Sequence, residues 1–294
     1  MSAIGIRRRT LHSSRLGYVE DFSAPGDYPA PCGHSSELQL VLPYSGAFEW
    51  RVGGKTAFLD GTRMLFVNAG EDYTDRHVVG CGHDSIIITP RLSTLKELCW
   101  PTAPSRHIAF QRVAASTTTR MTLLGHRLLQ LETSGDDPLA SDELMMALLN
   151  EALGRMQTVA GVPALRVVDA AKQFLHAHLC EPISLTQIAQ AVQVSGAYLT
   201  DAFTRSEGIP LGRYRMRLRL NRALVELPRC GDITGLALDL GFSSHAHFSN
   251  AFKSLFDLSP SAFRAECGKP RIAVRLAPAL AHAVRQPPKT WRPA

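Results

Sequence analysis

The chain has 294 residues, 45% of them hydrophobic and 20% charged, with a formal charge of +6. That length allows two or three domains, and the composition predicts ordinary folded cores. No apolar run is long enough to cross a bilayer, and the N-terminus lacks the apolar segment of a signal peptide, so a cytoplasmic protein is expected.

The charge is unevenly placed. From residue 161 onward there are 17 Lys/Arg against 9 Asp/Glu, which leaves 15 against 17 before it, so a polyanionic partner is expected for the C-terminal part alone. The six cysteines, Cys32, Cys81, Cys99, Cys180, Cys230 and Cys267, form no CxxC pair and predict free thiols in a reducing compartment.

Residues 1–12 read as loose, and Arg7, Arg8 and Arg9 as a short solvated charge run. From residue 16 to about 89, short β-branched and aromatic runs at 37–41, 48–52, 64–67, 77–79 and 85–89 predict strands. Turn signals separate them at Pro43-Tyr44-Ser45-Gly46, Gly53-Gly54, Asp60-Gly61, Asn68-Ala69-Gly70 and Gly80-Cys81-Gly82. Short antiparallel strands at this spacing predict a small barrel or jelly roll, whose interior is a natural small-ligand cavity. Trp50, Phe66, Tyr73 and His77 are the candidate effector-lining groups. His34, Glu71, His77 and His83 are metal-ligating types, but the region has no His-x-His pair and the spacings do not advertise convergence. No metal or other cofactor is expected on that ground. A thiol sensor of Cys32 and Cys81 is an alternative use of the same region.

Two amphipathic helices follow at 118–132 and 141–157, broken by Ser134-Gly135-Asp136-Asp137-Pro138. They either cap the barrel or pair with a second subunit. Residues 158–163 read as a hinge.

Residues 164–264 carry a repeat. Leu185, Ile188 and Ala189 recur as Ile233, Leu236 and Ala237, and Leu199, Phe203 and Gly208 recur as Phe248, Phe252 and Asp257. Each copy is a short helix, a tight turn and a second helix, the pattern of a tandem helix-turn-helix. In the first copy Ser184 with Gln187 makes a capping box and Ser195 caps the second helix. In the second copy Gly241 is the expected left-handed turn residue, with Ser243 or Ser244 as the cap. Surface helices offering small and polar residues can enter the major groove of duplex DNA and read base edges. Arg205, Arg213, Arg215, Arg217, Arg219, Arg222 and Lys253 are the phosphate candidates, helped by helix N-termini. Arginines at alternate positions from 213 to 219 cannot all share one face, so some are expected to pair with acids or tie the two copies together.

Residues 164–264 resemble the DNA-binding domain of AraC/XylS-type transcription regulators. The matching string is GFSSHAHFSNAFKSLFDLSPSAFR, residues 241–264, supported by Arg219-Leu220 followed by Arg222-Ala223 and by Phe203 with Gly208 and Tyr214. The resemblance implies two helix-turn-helix units on a central helix. It puts Ala197, Thr200 and Asp201, then His245, Ala246, Ser249 and Asn250, at base-reading places. Ser195, Arg205, Arg217, Arg219, Ser244 and Lys253 are then the phosphate contacts. Pro210-Leu211 in the first unit, Asp257 in place of a frequent glycine, and Asp201 at a position that is often basic depart from the pattern.

The N-terminal part is similar to the cupin-like sensing domains attached to many such regulators, which implies a small-molecule effector and a homodimer. The expected architecture is a mainly-β cupin-like barrel with two helices over residues 1–160, an all-α tandem helix-turn-helix over 161–266, and a flexible basic tail over 267–294. The expected function is an effector-responsive activator of transcription that binds double-stranded DNA, contacts RNA polymerase and catalyses nothing. The alternatives are an architectural DNA-binding protein without effector control and a cupin-type enzyme with a DNA-docking domain. The latter lacks any legible Ser/His/Asp or paired-carboxylate constellation.

Overall fold

A computed structural model describes residues 5–26, 32–77, 82–99, 109–110, 112–130, 138–156 and 166–267. The segments expected as a hinge (158–163) and as a basic tail lie outside the described residues, apart from Cys267, and so do Val78, Val79, Gly80 and Cys81.

The N-terminal strands are β1 (Arg7–Ser14), β2 (Gly17–Ala24), β3 (Cys32–Ser35), β4 (Gln39–Val52), β5 (Lys55–Asp60), β6 (Arg63–Val67), β7 (Glu71–His77), β8 (His83–Pro90) and β9 (Ala114–Ser116). All pair antiparallel, and β4 belongs to both halves of the sheet. Its first half pairs with β6 and β8, and its second half with β5 and β7. The segment 43–46 was expected to be a turn. It is instead a corner within one strand: the register shifts between Pro43 and Ser45, and Gly46 bends the chain at φ 70.

Strand β1 corrects the expectation of a loose N-terminus. Arg8 reaches Glu20 at 3.4 Å and Arg9 reaches Asp21 at 3.1 Å across the β1–β2 ladder, while Leu11 is buried. The N-terminal part is mainly β sheet as expected, and among the described residues the strand path β1-β2-β8-β4-β6-β9 does not close on itself.

Both faces of the central strands are buried, which explains their near-continuous apolar runs. Leu40, Leu42, Met64, Phe66, Ile86 and Ile88 face a core shared with helices, whereas Val41, Leu65, Val67 and Ile87 face a second core with Phe48, Trp50 and Leu59. The helical side of the first core comes from α1 (Leu92–Cys99), α2 (Thr119–Gln130) and α3 (Pro138–Met156).

The C-terminal region is helical: α4 (Arg166–Ala177), α5 (Leu185–Ala191), α6 (Gly196–Glu207), α7 (Leu211–Glu226), α8 (Ile233–Asp239), α9 (His245–Phe256) and α10 (Pro260–Cys267). Helix α7 is the shared spine, about 24 Å long for its 16 residues. Tyr214 and Leu218 pack with α4, α5 and α6, and Leu220, Ala223 and Leu224 pack with α8, α9 and α10. Among the described residues, no helix is long and apolar enough to cross a membrane.

Candidate nucleic-acid interface

The two copies fold as the repeat requires. Ile188, Ala189, Leu199 and Phe203 are buried in one, and Leu236, Ala237, Phe248 and Phe252 in the other. Ser184 and Gln187 form the capping box of α5, and Ser195 accepts the Tyr198 amide at the head of α6. Asp232 takes the Thr234 and Gly235 amides at the head of α8, and Ser244 takes that of His247 at the head of α9. Both second helices end on a left-handed residue, Gly208 at φ 72 and Asp257 at φ 59.

Burying one stripe of α6 and α9 leaves the opposite stripe outward. Ala197, Thr200 and Asp201 are exposed on α6. His245, Ala246 and Asn250 are exposed on α9, and Ser249 is half-buried beside His245. Tyr198 stands in the same exposed stretch, 47% accessible, which helical spacing alone did not single out. Asp201 is paired with Arg205 one turn on, so the acid that would repel phosphate is offset. Lys253, in the last turn of α9, is exposed, and so is Arg213 near the start of α7.

The arginines of α7 divide by face. Arg219 is corrected from a phosphate contact to an internal strut. It is 8% exposed and donates to the carbonyls of Leu179 at 2.8 Å, Gly241 at 2.6 Å and Glu181 at 3.2 Å. It therefore ties the segment after α4 to the turn of the second unit, with burial and the nearby Arg215 lowering its pKa. Arg215 donates to the carbonyls of Ile183 and Glu181, and Arg222 pairs with Glu226 at 2.6 Å. Arg217, half-buried, donates to the carbonyl and hydroxyl of Thr117, just before α2.

No apolar spacing or motif signalled the contact between the strands and α4–α7. Asp60, fully buried at the end of β5, accepts from Thr62 N at 2.8 Å and Thr62 Oγ1 at 2.6 Å, from His176 Nε2 at 3.1 Å, and from the Tyr214 hydroxyl. Burial alone would raise this carboxyl, but the His176 hydrogen bond and charge, with Lys172 and Thr62, hold it well below the usual carboxylate range. Burial followed by Asp60 pushes the Tyr214 phenol far up. Beside them Lys172 and Glu207 form a buried ion pair at 2.6 Å. A cleft of about 320 Å³ opens between β4 and α7, lined by Tyr44, Gly61, His176, Leu218 and Asn221 among others.

The four effector candidates do not line one cavity. Trp50 stacks on Tyr73 at 3.9 Å within the sheet interior, and Phe66 lies in the other core against Phe110. His77 is half-buried and meets His83 instead. The metal-ligating residues sort differently from the sequence expectation: His34 and Asp72 pair at an exposed edge, Glu71 binds Asn68, and Asp75 joins His77 and His83 in one cluster.

A family profile described as a helix-turn-helix domain matches residues 188–266. The Msm operon regulatory protein of Streptococcus mutans is 32% identical over 101 residues, covering 34% of this chain and 36% of that protein. The HTH-type transcriptional regulator ArgR of Pseudomonas aeruginosa is 36% identical over 87 residues, 29% of this chain and 26% of that one. A solved transcriptional regulator of the AraC-type DNA-binding class from Chromobacterium violaceum is 33% identical, covering 36% of this chain and 95% of that chain with a TM-score of 0.34. The match thus spans about a third or less of the two regulators' own length. Residues 188–266 are thus a helix-turn-helix domain, and this is the region the chain shares with those regulators of transcription.

Proposed function

We propose that the chain is a sequence-specific, cytoplasmic regulator of transcription that lays α6 and α9 in successive major grooves of one DNA duplex. What carries this reading is the repeat itself: two capped helices, α6 and α9, each with one buried and one exposed stripe, fixed on the single spine α7. Ala197, Thr200 and Asp201 read bases from α6, and His245, Ala246, Ser249 and Asn250 read them from α9. Asn250 is suited to a bidentate contact with adenine. Lys253, Arg205 and Arg213 supply charge to phosphate, and the helix heads at Ser195 and Ser244 supply amides.

The strands act as the sensing part, and the role is activation of RNA polymerase by a homodimer occupying paired sites. The N-terminal part is the unit over 1–160, the DNA-binding part 161–266, and the tail 267–294 adds basic charge. The effector is a small molecule held in the cleft between β4 and α7, whose volume of about 320 Å³ lies at the lower end of ordinary ligand pockets. An occupant there touches both parts, and so can change how the two units are presented.

Binding-site selection with the native protein and Asn250→Ala tests the base-reading assignment. The variant is expected to lose preference at one base position, by about 1–3 kcal/mol of discrimination. An unchanged preference at every position overturns it.

A further inference from the structure

Asp75, His77 and His83 lie on β7 and β8, outside the helices proposed to meet DNA, yet they are brought together. Asp75 and His77 stand two residues apart on β7 and so project to one face. His83 opens β8, and β4 runs between the two strands, with Trp50 opposite Asp75, Phe48 opposite His77 and Gly46 opposite His83. One ligand atom from each of the three lies within 4.8 Å of the others. His77 Nε2 is 2.7 Å from His83 Nδ1, and His83 Nε2 is 3.9 Å from Asp75 Oδ2. The His83 ring is held by Phe48, stacked at 3.9 Å, and by Phe22 at 5.4 Å.

As a purely structural cluster this arrangement is poor. Asp75 is 7% exposed, and its Oδ1 is buried with no hydrogen-bond partner, as is His77 Nδ1. Leaving a buried acceptor unmatched costs about 1–3 kcal/mol. Among the described residues, no Lys or Arg pairs with Asp75. Two imidazoles and a carboxylate converging without a cation make a donor set that a borderline divalent metal satisfies.

We propose that Asp75, His77 and His83 form a mononuclear site for a divalent transition-metal ion of the zinc type. Three protein ligands leave a coordination position for water or for a donor atom of a small molecule. With metal–ligand bonds of about 2.0–2.2 Å, two ligand atoms of a tetrahedral site stand roughly 3.3 Å apart, so the imidazoles must part by about 0.6 Å. His77, the half-buried member, is the one with room to move.

The test uses the full chain, stripped with chelator and then reloaded with Co²⁺ for visible absorbance and with Zn²⁺ for metal content after desalting. The expected result is one ion per chain, a tetrahedral or five-coordinate cobalt spectrum, and a higher melting temperature on reloading. His77→Ala and Asp75→Asn, each checked for native secondary structure by circular dichroism, are expected to lose the ion, the spectrum and the melting shift together. Native protein that retains no zinc after desalting overturns the proposal. So does an ion retained by both variants, which places it elsewhere. None of these three readouts involves DNA, so the outcome is independent of the regulatory reading.

Discussion

Gly241 and Gln193 occupy the same place in the two turns, offset by the spacing of the repeat, and both are left-handed, at φ 78 and φ 57. A Cβ on Gly241 would stand 2.4 Å from the Cys180 carbonyl oxygen and 2.5 Å from Arg219 Nη2, both fixed by the strut that joins the units. Gln193 is exposed, and left-handed backbone costs a non-glycine residue about 1–2 kcal/mol. Glycine there removes that cost but adds unfolded-state freedom of about 0.5–1 kcal/mol. Gly241→Ala is therefore expected to destabilise the helical region by about 2 kcal/mol or more, whereas Gln193→Gly is expected to stabilise it by roughly 0.5 kcal/mol. Urea unfolding followed by circular dichroism reads both. Equal losses in the two variants would mean that the turns are not equivalent.

Helix α7 separates what was legible in the sequence from what was not. The helix-turn-helix units could be read because their determinants are local: apolar spacing sets the buried stripe, and Ser184, Ser195 and Ser244 cap within three residues. The left-handed turn residue Gly241 was equally plain. The roles of Arg217 and Arg219 were not legible, because they depend on which chain segment faces each side of the spine. The polar strands β1 (RRRTLHSS) and β7 (EDYTDRH) were also hard to read, since their pairing rests on cross-strand ion pairs and backbone ladders rather than apolar alternation. Asp75, His77 and His83 come together only through that pairing. For Arg219 the corrected role changes the expected phenotype. Lysine cannot span three carbonyls in fixed directions, so Arg219→Lys should lower stability by about 2–3 kcal/mol. It should also weaken DNA binding without altering the dependence of log K on log salt. Lys253→Ala, which removes a proposed phosphate contact, should instead flatten that slope by about 0.9. Titration at several salt concentrations distinguishes the two, and a flattened slope for Arg219→Lys would return that residue to the phosphate.

Across the whole molecule, the strands and α2 grip both helix-turn-helix units: Asp60 through His176 and Tyr214, Arg217 through Thr117, and α2 against α7 and α9. At the far end of this contact His126 of α2 is 5% exposed, set between Tyr44 of β4 and Phe263 of α10 with ring centroids 6.4 and 6.2 Å away. Burial lowers its pKa to about 4. The unfolded chain therefore binds the proton more readily than the folded one. The contribution of this histidine is complete above about pH 6.5 and is lost as pH falls toward 4. From pH 7 to pH 5 this one group should remove about 2 kcal/mol of stability, and the loss falls on the contact between the strands and the second unit. Asp60, held low, adds its own loss only below the ordinary carboxylate range. His126→Phe keeps an aromatic ring in place but cannot titrate. Its unfolding free energy should be close to native at pH 5 or higher, with a flatter slope between pH 7 and pH 5. Parallel slopes in the two proteins would show that protonation of His126 does not load this contact, and acid sensitivity would then have to come from other groups.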